Sequence, residues 1–127
     1  RPLRGQQPAP EMVTSTSWED HQLSTCSLLK DKGNYSMEQG RHREGEARYT
    51  EGISRLEEHE DLLETSDTLQ KLQLALYSNR AEARIRLRSW GKALEDCNWV
   101  LWWDDGHAKA ILRAAKACRA LARLEDA

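Results

Sequence analysis

Between Leu76 and Ala93 the apolar and small residues Tyr77, Ala81, Ala83, Ile85 and Leu87 recur at the spacing of one helix face. Leu87-Arg88-Ser89 interrupts that stripe, and Trp90, Ala93, Leu94, Cys97 and Leu101 begin another. The pattern predicts a helix, a tight turn and a second helix. Neither helix buries its apolar side alone, so the unit requires neighbours of the same kind.

Such neighbours are present as copies. Displaced forward by 34 residues, Ala81 falls on Ala115, Ala83 on Ala117, Leu87 on Leu121, Trp90 on Leu124 and Ala93 on Ala127. Displaced back by 48, Tyr77 falls on Leu29, Ala81 on Gly33, Ile85 on Met37, Trp90 on His42, Ala93 on Gly45, Cys97 on Tyr49 and Leu101 on Ile53. The second displacement is one 34-residue period plus a 14-residue insertion. A helix-turn-helix period of this length is the tetratricopeptide spacing. Small residues at matching places allow the two helices of each hairpin to approach closely. The expected fold is an all-α solenoid of antiparallel helix hairpins, two full repeats plus part of a third. The repeats are placed at about residues 26–59, 74–107 and a truncated 108–127, with the insertion at 60–73, in a domain covering 21–127.

Along the chain, residues 1–20 show no periodicity and read as a flexible lead-in. A first helix is expected from about Ser24 to Glu38, with Cys26, Leu29, Gly33 and Met37 inward and Gly40 ending it. A second runs from about Arg43 through Leu56, extending toward Leu63. Thr65-Ser66-Asp67 breaks the insertion, with Ser66 or Asp67 capping the next helix, so that both flanking helices are lengthened. That helix ends near Leu87, and the following one spans Trp90 to Trp103. Asp104 to His107 is a turn. A fifth helix covers about Ala108 to Ala120, with Leu124 opening a sixth.

Composition narrows the function. Charged residues are 31% of the chain and the net charge is −2, which offers no electrostatic case for nucleic acid. No apolar run is long enough to span a bilayer, so no membrane partner is expected. Residues 1–10 are Pro/Gln-rich and polar, unlike a signal peptide. Cys26, Cys97 and Cys118 lack metal spacing and read as buried thiols of a reducing, cytoplasmic compartment. The absence of an initial Met and the halt at Ala127, midway through a repeat, suggest a piece of a longer protein. No nucleophile motif, Gly-rich phosphate loop or His cluster is present, and a non-catalytic protein without metal or cofactor is expected. The acidic residues from Glu57 to Glu64 read as a solvated face.

The first helices of stacked hairpins line the concave wall. The residues placed there are Lys30 and Asn34 from the first repeat, Asn79, Glu82, Ile85 and Arg86 from the second, and Lys109 and Arg113 from the third. Lys30/Asn34 and Lys109/Arg113 are each four apart, so each pair shares one helix face. Cationic and amide donors converging from three helices suit carboxylates, and charge-assisted bonds are the strong ones. Capture of a terminal carboxylate is an established recognition mode.

The stretches LLKDKGN (28–34), LYSNRAEA (76–83) and HAKAILRAAKA (107–117) resemble the tetratricopeptide domains of chaperone cofactors. Those domains carry a carboxylate clamp of Lys and Asn, then Asn, then Lys and Arg. All five places match here, at Lys30, Asn34, Asn79, Lys109 and Arg113. The resemblance covers about residues 24–127, and the insertion before LYSNRA is similar to that of immunophilin and mitochondrial-import clamp domains. It implies a co-chaperone or adaptor binding the acidic C-terminal tail, ending Glu-Glu-Val-Asp, of cytosolic seventy- and ninety-kilodalton heat-shock chaperones. Lys30, Asn34 and Asn79 are expected to hold the terminal carboxylates, Lys109 and Arg113 the last acidic side chain or an adjacent backbone oxygen, and Ile85 with the Arg86 stem an apolar floor.

Some places depart from the pattern. Glu82 stands where the family favours a small residue, and repels an acidic peptide unless Arg86 or Lys116 neutralises it. Arg84 replaces an aromatic, and with Lys32 and Arg80 is expected to pack its stem and send its head to solvent. Trp90 reads as core. Trp99, Trp102 and Trp103 cluster on one helix, and an exposed aromatic patch there supports the alternative of a general scaffold binding its partner through a convex Trp face or through repeats not present here.

Overall fold

A computed structural model describes residues 10–126 of the chain, with side chains from residue 17 onward. Six helices are present: α1 (Pro10–Glu38), α2 (His42–Glu57), α3 (Glu60–Thr65), α4 (Asp67–Arg86), α5 (Trp90–Trp103) and α6 (Ala108–Asp126). They form an all-α tetratricopeptide solenoid. The α1/α2 and α4/α5 hairpins are two full repeats, and α6 is the first helix of a third. α1, α4 and α6 lie side by side as one layer, and α2 and α5 pack across them as the other.

Helix ends follow local chemistry. α1 stops where Gly40 takes a positive φ of 76°, and the amides of Gly40 and Arg41 return to the carbonyls of Met37 and Ser36. α4 ends on the same motif, with Arg88 and Ser89 bonding the carbonyls of Ile85 and Arg84. There the left-handed place is held by Arg88, at φ 61°. Ser66 caps α4, its hydroxyl accepting from the Leu69 amide at 3.2 Å.

The main core joins Cys26, Tyr49, Ile53, Leu56, Leu69, Leu72, Leu76, Tyr77 and Val100. Close approach of α1 and α2 explains Gly33, where an added Cβ would run into the ring of Tyr49. Tyr77 stacks on Trp99 with ring centroids 3.8 Å apart, and its hydroxyl donates to Glu57. A second cluster, Ile85, Ala93 and Ala117 with Trp90 and Leu94, joins α4, α5 and α6.

Five expectations are corrected. α1 begins at Pro10 rather than near Ser24, so residues 10–20, read as lead-in, are helical, while residues 1–9 lie outside the described residues. The extension packs: Gln22 is buried, and the Trp18 ring lies 5.6 Å from that of His59. The insertion contributes a separate short helix, α3, together with the N-terminal turns of α4, and α2 stops at Glu57. α6 continues to Asp126 without the turn inferred near Ala120, because no Gly or Pro interrupts residues 108–126. Cys26 and Cys97 are buried, but Cys118 is exposed on α6. Arg80 and Arg84 do not send their heads to solvent. Arg80 holds both Asp96 oxygens at 2.8 and 2.9 Å, and Arg84 bridges Asp96 and Glu46, each at 2.9 Å.

Candidate functional site

The site grows from the contact of α1 with α4. Asn34, on α1, directs its Oδ1 into that contact and accepts from Asn79 Nδ2 on α4 at 3.2 Å and from the Tyr49 hydroxyl on α2 at 2.5 Å. With its oxygen so engaged, Asn34 keeps its own amide N–H groups as donors. Burial pushes the Tyr49 hydroxyl up to about 12; Arg113 opposes this, while Glu38 and Glu82 add to it. Tyr49 therefore remains a protonated donor at neutral pH and fixes the orientation of Asn34.

The contact of α4 with α6 is built on Arg113. Its Nη1 donates to the Ser78 carbonyl and hydroxyl, both at 2.8 Å, and its Nε donates to Glu82 Oε1 at 3.1 Å. Among the described residues no hydrogen bond engages its second terminal nitrogen, Nη2. Glu82 also accepts from Arg86 Nε through Oε2 at 2.8 Å. Burial opposes ionisation of Glu82, but the Arg86 hydrogen bond and the charges of Arg113, Arg86 and Lys116 outweigh it and hold the carboxyl below its ordinary range. Glu82 is thus paired within the protein, with Arg113 as well as with Arg86.

Lys30 is half-buried and Lys109 exposed. Among the described residues neither makes an ion pair. Ile85 is corrected: it is 8% exposed and belongs to the cluster with Ala93 and Ala117, so it is core rather than groove floor. Arg86 is largely exposed and its head is spent on Glu82.

Asn34 with Asn79 and Ser78 with Arg113 are thus brought together around adjacent residues of α4. Tyr49 and Ser78 are hydrogen-bond partners of the candidate site that the charge pattern does not reveal. Tyr49 sits on the second helix of its hairpin, and Ser78 acts partly through a backbone oxygen, which no side-chain pattern records. The arrangement presents ammonium, amide and guanidinium donors along one layer and can hold carboxylates and extended peptide backbone. Among the described residues no group of three His, Cys, Asp or Glu converges as a metal site. No helix among them is long and apolar enough to cross a membrane.

Comparison with known proteins agrees with the hairpin stack. No family model matches the chain. It is 34% identical over 98 residues to human "Tetratricopeptide repeat protein 12", covering 76% of this chain and 12% of that one. This is a tetratricopeptide-repeat fold. The chain is also 45% identical over 51 residues to mouse "Sperm-associated antigen 1", covering 40% of this chain and 6% of the relative. A third relative is the "Hsp70/Hsp90 co-chaperone cns1" of Schizosaccharomyces pombe, 43% identical over 56 residues, covering 44% of this chain and 16% of the relative. The chain therefore corresponds to a small part of each of these proteins.

Proposed function

We propose that this domain is a non-catalytic peptide-binding module of a co-chaperone or adaptor, and that it holds the acidic C-terminal tail of a heat-shock chaperone. The observation that carries this reading is the Asn34–Asn79 hydrogen bond between α1 and α4, with Lys30 one turn before Asn34 on α1 and Arg113 bound to Ser78, beside Asn79 on α4. Lys30, Asn34 and Asn79 hold the terminal carboxylate. Lys109 and Nη2 of Arg113 hold the last side chain or the neighbouring backbone. The Arg86 stem takes the rest of an extended chain. Likeness to a protein named as a co-chaperone of the seventy- and ninety-kilodalton chaperones supports the choice of partner.

The test is fluorescence polarisation of a labelled peptide ending Glu-Glu-Val-Asp with Lys30→Ala and Lys109→Ala variants. These two lysines are suitable because neither makes an ion pair among the described residues; Arg113 is unsuitable because its loss also disturbs Ser78 and Glu82. Each lysine variant is expected to lose about 1.5–3 kcal/mol, the worth of hydrogen bonds to a charged group. Unchanged affinity in both would sink the clamp.

A second reading keeps one specific support. Trp102 is 82% exposed and Trp103 also largely exposed at the end of α5. Trp99, by contrast, is half-buried on Tyr77 and is spent on packing. If partner capture is lost on changing Trp102 and Trp103 to Ala while peptide affinity is retained, the scaffold reading holds instead.

A further inference from the structure

Glu82 engages both groove arginines before any ligand arrives. Its two oxygens accept from Arg113 Nε and Arg86 Nε at 3.1 and 2.8 Å, and it sits half-buried between α4 and α6. An internal carboxylate thus already stands where a ligand's acidic side chain would seek Arg113. We propose that Glu82 is a specificity-determining residue that makes the groove read a single ligand carboxylate, the α-carboxylate at the chain end, and largely discount the charge of the last side chain.

The inference rests on the clamp reading above and sharpens its substrate class. Glu82 cancels one positive charge of the Arg86–Arg113 pair. The two bonds from Arg113 to Ser78 pin the guanidinium to α4, so it cannot swing away from Glu82 toward a new acid. An incoming carboxylate near Arg113 therefore meets a salt bridge already made, together with a like charge. At the α1–α4 end the situation is the reverse. Asn34 and Asn79 engage each other, Lys30 is in no ion pair among the described residues, and no carboxylate hydrogen-bonds to any of the three. At the chain end no internal carboxylate competes for the donors, whereas at the α4–α6 end Lys109 is the clamp cation in no ion pair among the described residues and Arg113 is engaged by Glu82. The fitting ligand is an extended peptide with a free C-terminus, its last side chain charged or neutral.

The experiment compares two peptides that differ only in the last residue, Asp or Asn, both with free C-termini, beside the Asp peptide amidated at its end. Each is titrated into the unaltered protein and into Glu82→Gln, which keeps the side-chain shape. For the unaltered protein the Asp peptide is expected to bind less than about threefold more tightly than the Asn peptide. In Glu82→Gln the preference is expected to widen to about tenfold, the worth of one charge-assisted bond. The gain comes from the Asp peptide alone, a selectivity that a merely structural role for Glu82 would not move. A preference above about tenfold in the unaltered protein, or the same preference in both proteins, overturns the proposal while leaving the clamp standing. Failure of both proteins to bind either peptide, or binding indifferent to amidation, refutes the clamp and this proposal with it. Should Glu82→Gln not fold, Glu82→Ala at a temperature below its melting transition gives the same comparison.

Discussion

Asp96 is the residue whose removal should be felt most widely. Its side chain is 4% exposed on α5 and accepts three hydrogen bonds from α4. These come from Arg80 Nε and Nη2 at 2.9 and 2.8 Å and from Arg84 Nη1 at 2.9 Å. Through Glu46 and Thr50, which bond the same two arginines, the network also ties α2 to α4. Asp96→Ala leaves two poorly solvated guanidinium groups without their shared anion, a change that costs about 3–5 kcal/mol when one partner of a buried pair is deleted. Arg84 keeps Glu46 at 2.9 Å, and Arg80 keeps Thr50 at 3.3 Å and the Tyr77 ring at 5.1 Å. The lower end, about 3 kcal/mol, is therefore expected. At about 4 °C per kcal/mol for a domain of this size, the melting temperature falls by about 12 °C. Thermal unfolding followed by circular dichroism reads this directly, with Asp96→Asn falling between the two because it keeps an acceptor. A drop under about 1 kcal/mol would show that water or alternative partners solvate Arg80 and Arg84, and that the network does not hold the repeats together.

Two further predictions concern stability. Arg88 holds a left-handed backbone place that Gly40 fills at the equivalent helix end, so Arg88→Gly should gain about 0.5–1 kcal/mol and melt a few degrees higher; an unchanged or lower melting temperature refutes strain at that turn. Alkaline pH should weaken the fold. Burial pushes Cys97 up from 9.0 to about 11 and Tyr49 from 10.0 to about 12, so above pH 9 the unfolded chain loses protons that the folded one keeps. Stability is full below pH 9 and falls by about 2 kcal/mol by pH 10.5; a melting temperature constant over that range contradicts it. Glu82 acts in the opposite sense: its lowered value adds stability above about pH 4.5 that is lost as pH falls further.

The hairpins were legible because their apolar stripes are local, and so were the ends marked by Gly40 and Ser66. The bounds of α5 coincide with the stripe from Trp90 to Trp103. The pairing of Arg80 and Arg84 was not legible. Their anions lie on α2 and α5, and only the folded register brings residues so distant in sequence to one point. Gln22, a polar residue at a buried place, hid the early start of α1. The repeat period places a turn near Ala120, but residues 108–126 hold no Gly or Pro and continue as one helix. At the candidate site, spacing places Lys30, Asn34, Asn79, Glu82, Ile85, Arg86, Lys109 and Arg113 on one wall, and the family resemblance singles out Lys30, Asn34, Asn79, Lys109 and Arg113. Which donors are already engaged could not be read from either, because that depends on Ser78 and Tyr49. Ile85 was misplaced because it borders both the core stripe and the groove stripe, and spacing alone does not separate adjacent faces of one helix.

The central claim is capture of a terminal carboxylate. Its most direct test is the affinity of this domain for an acidic peptide ending Glu-Glu-Val-Asp, measured beside the same peptide carrying a C-terminal amide. The account predicts micromolar binding of the free acid, weakened at least about tenfold by amidation, since a charged hydrogen-bonded group is removed. Equal affinity for acid and amide, or no binding by a demonstrably folded domain, would contradict it.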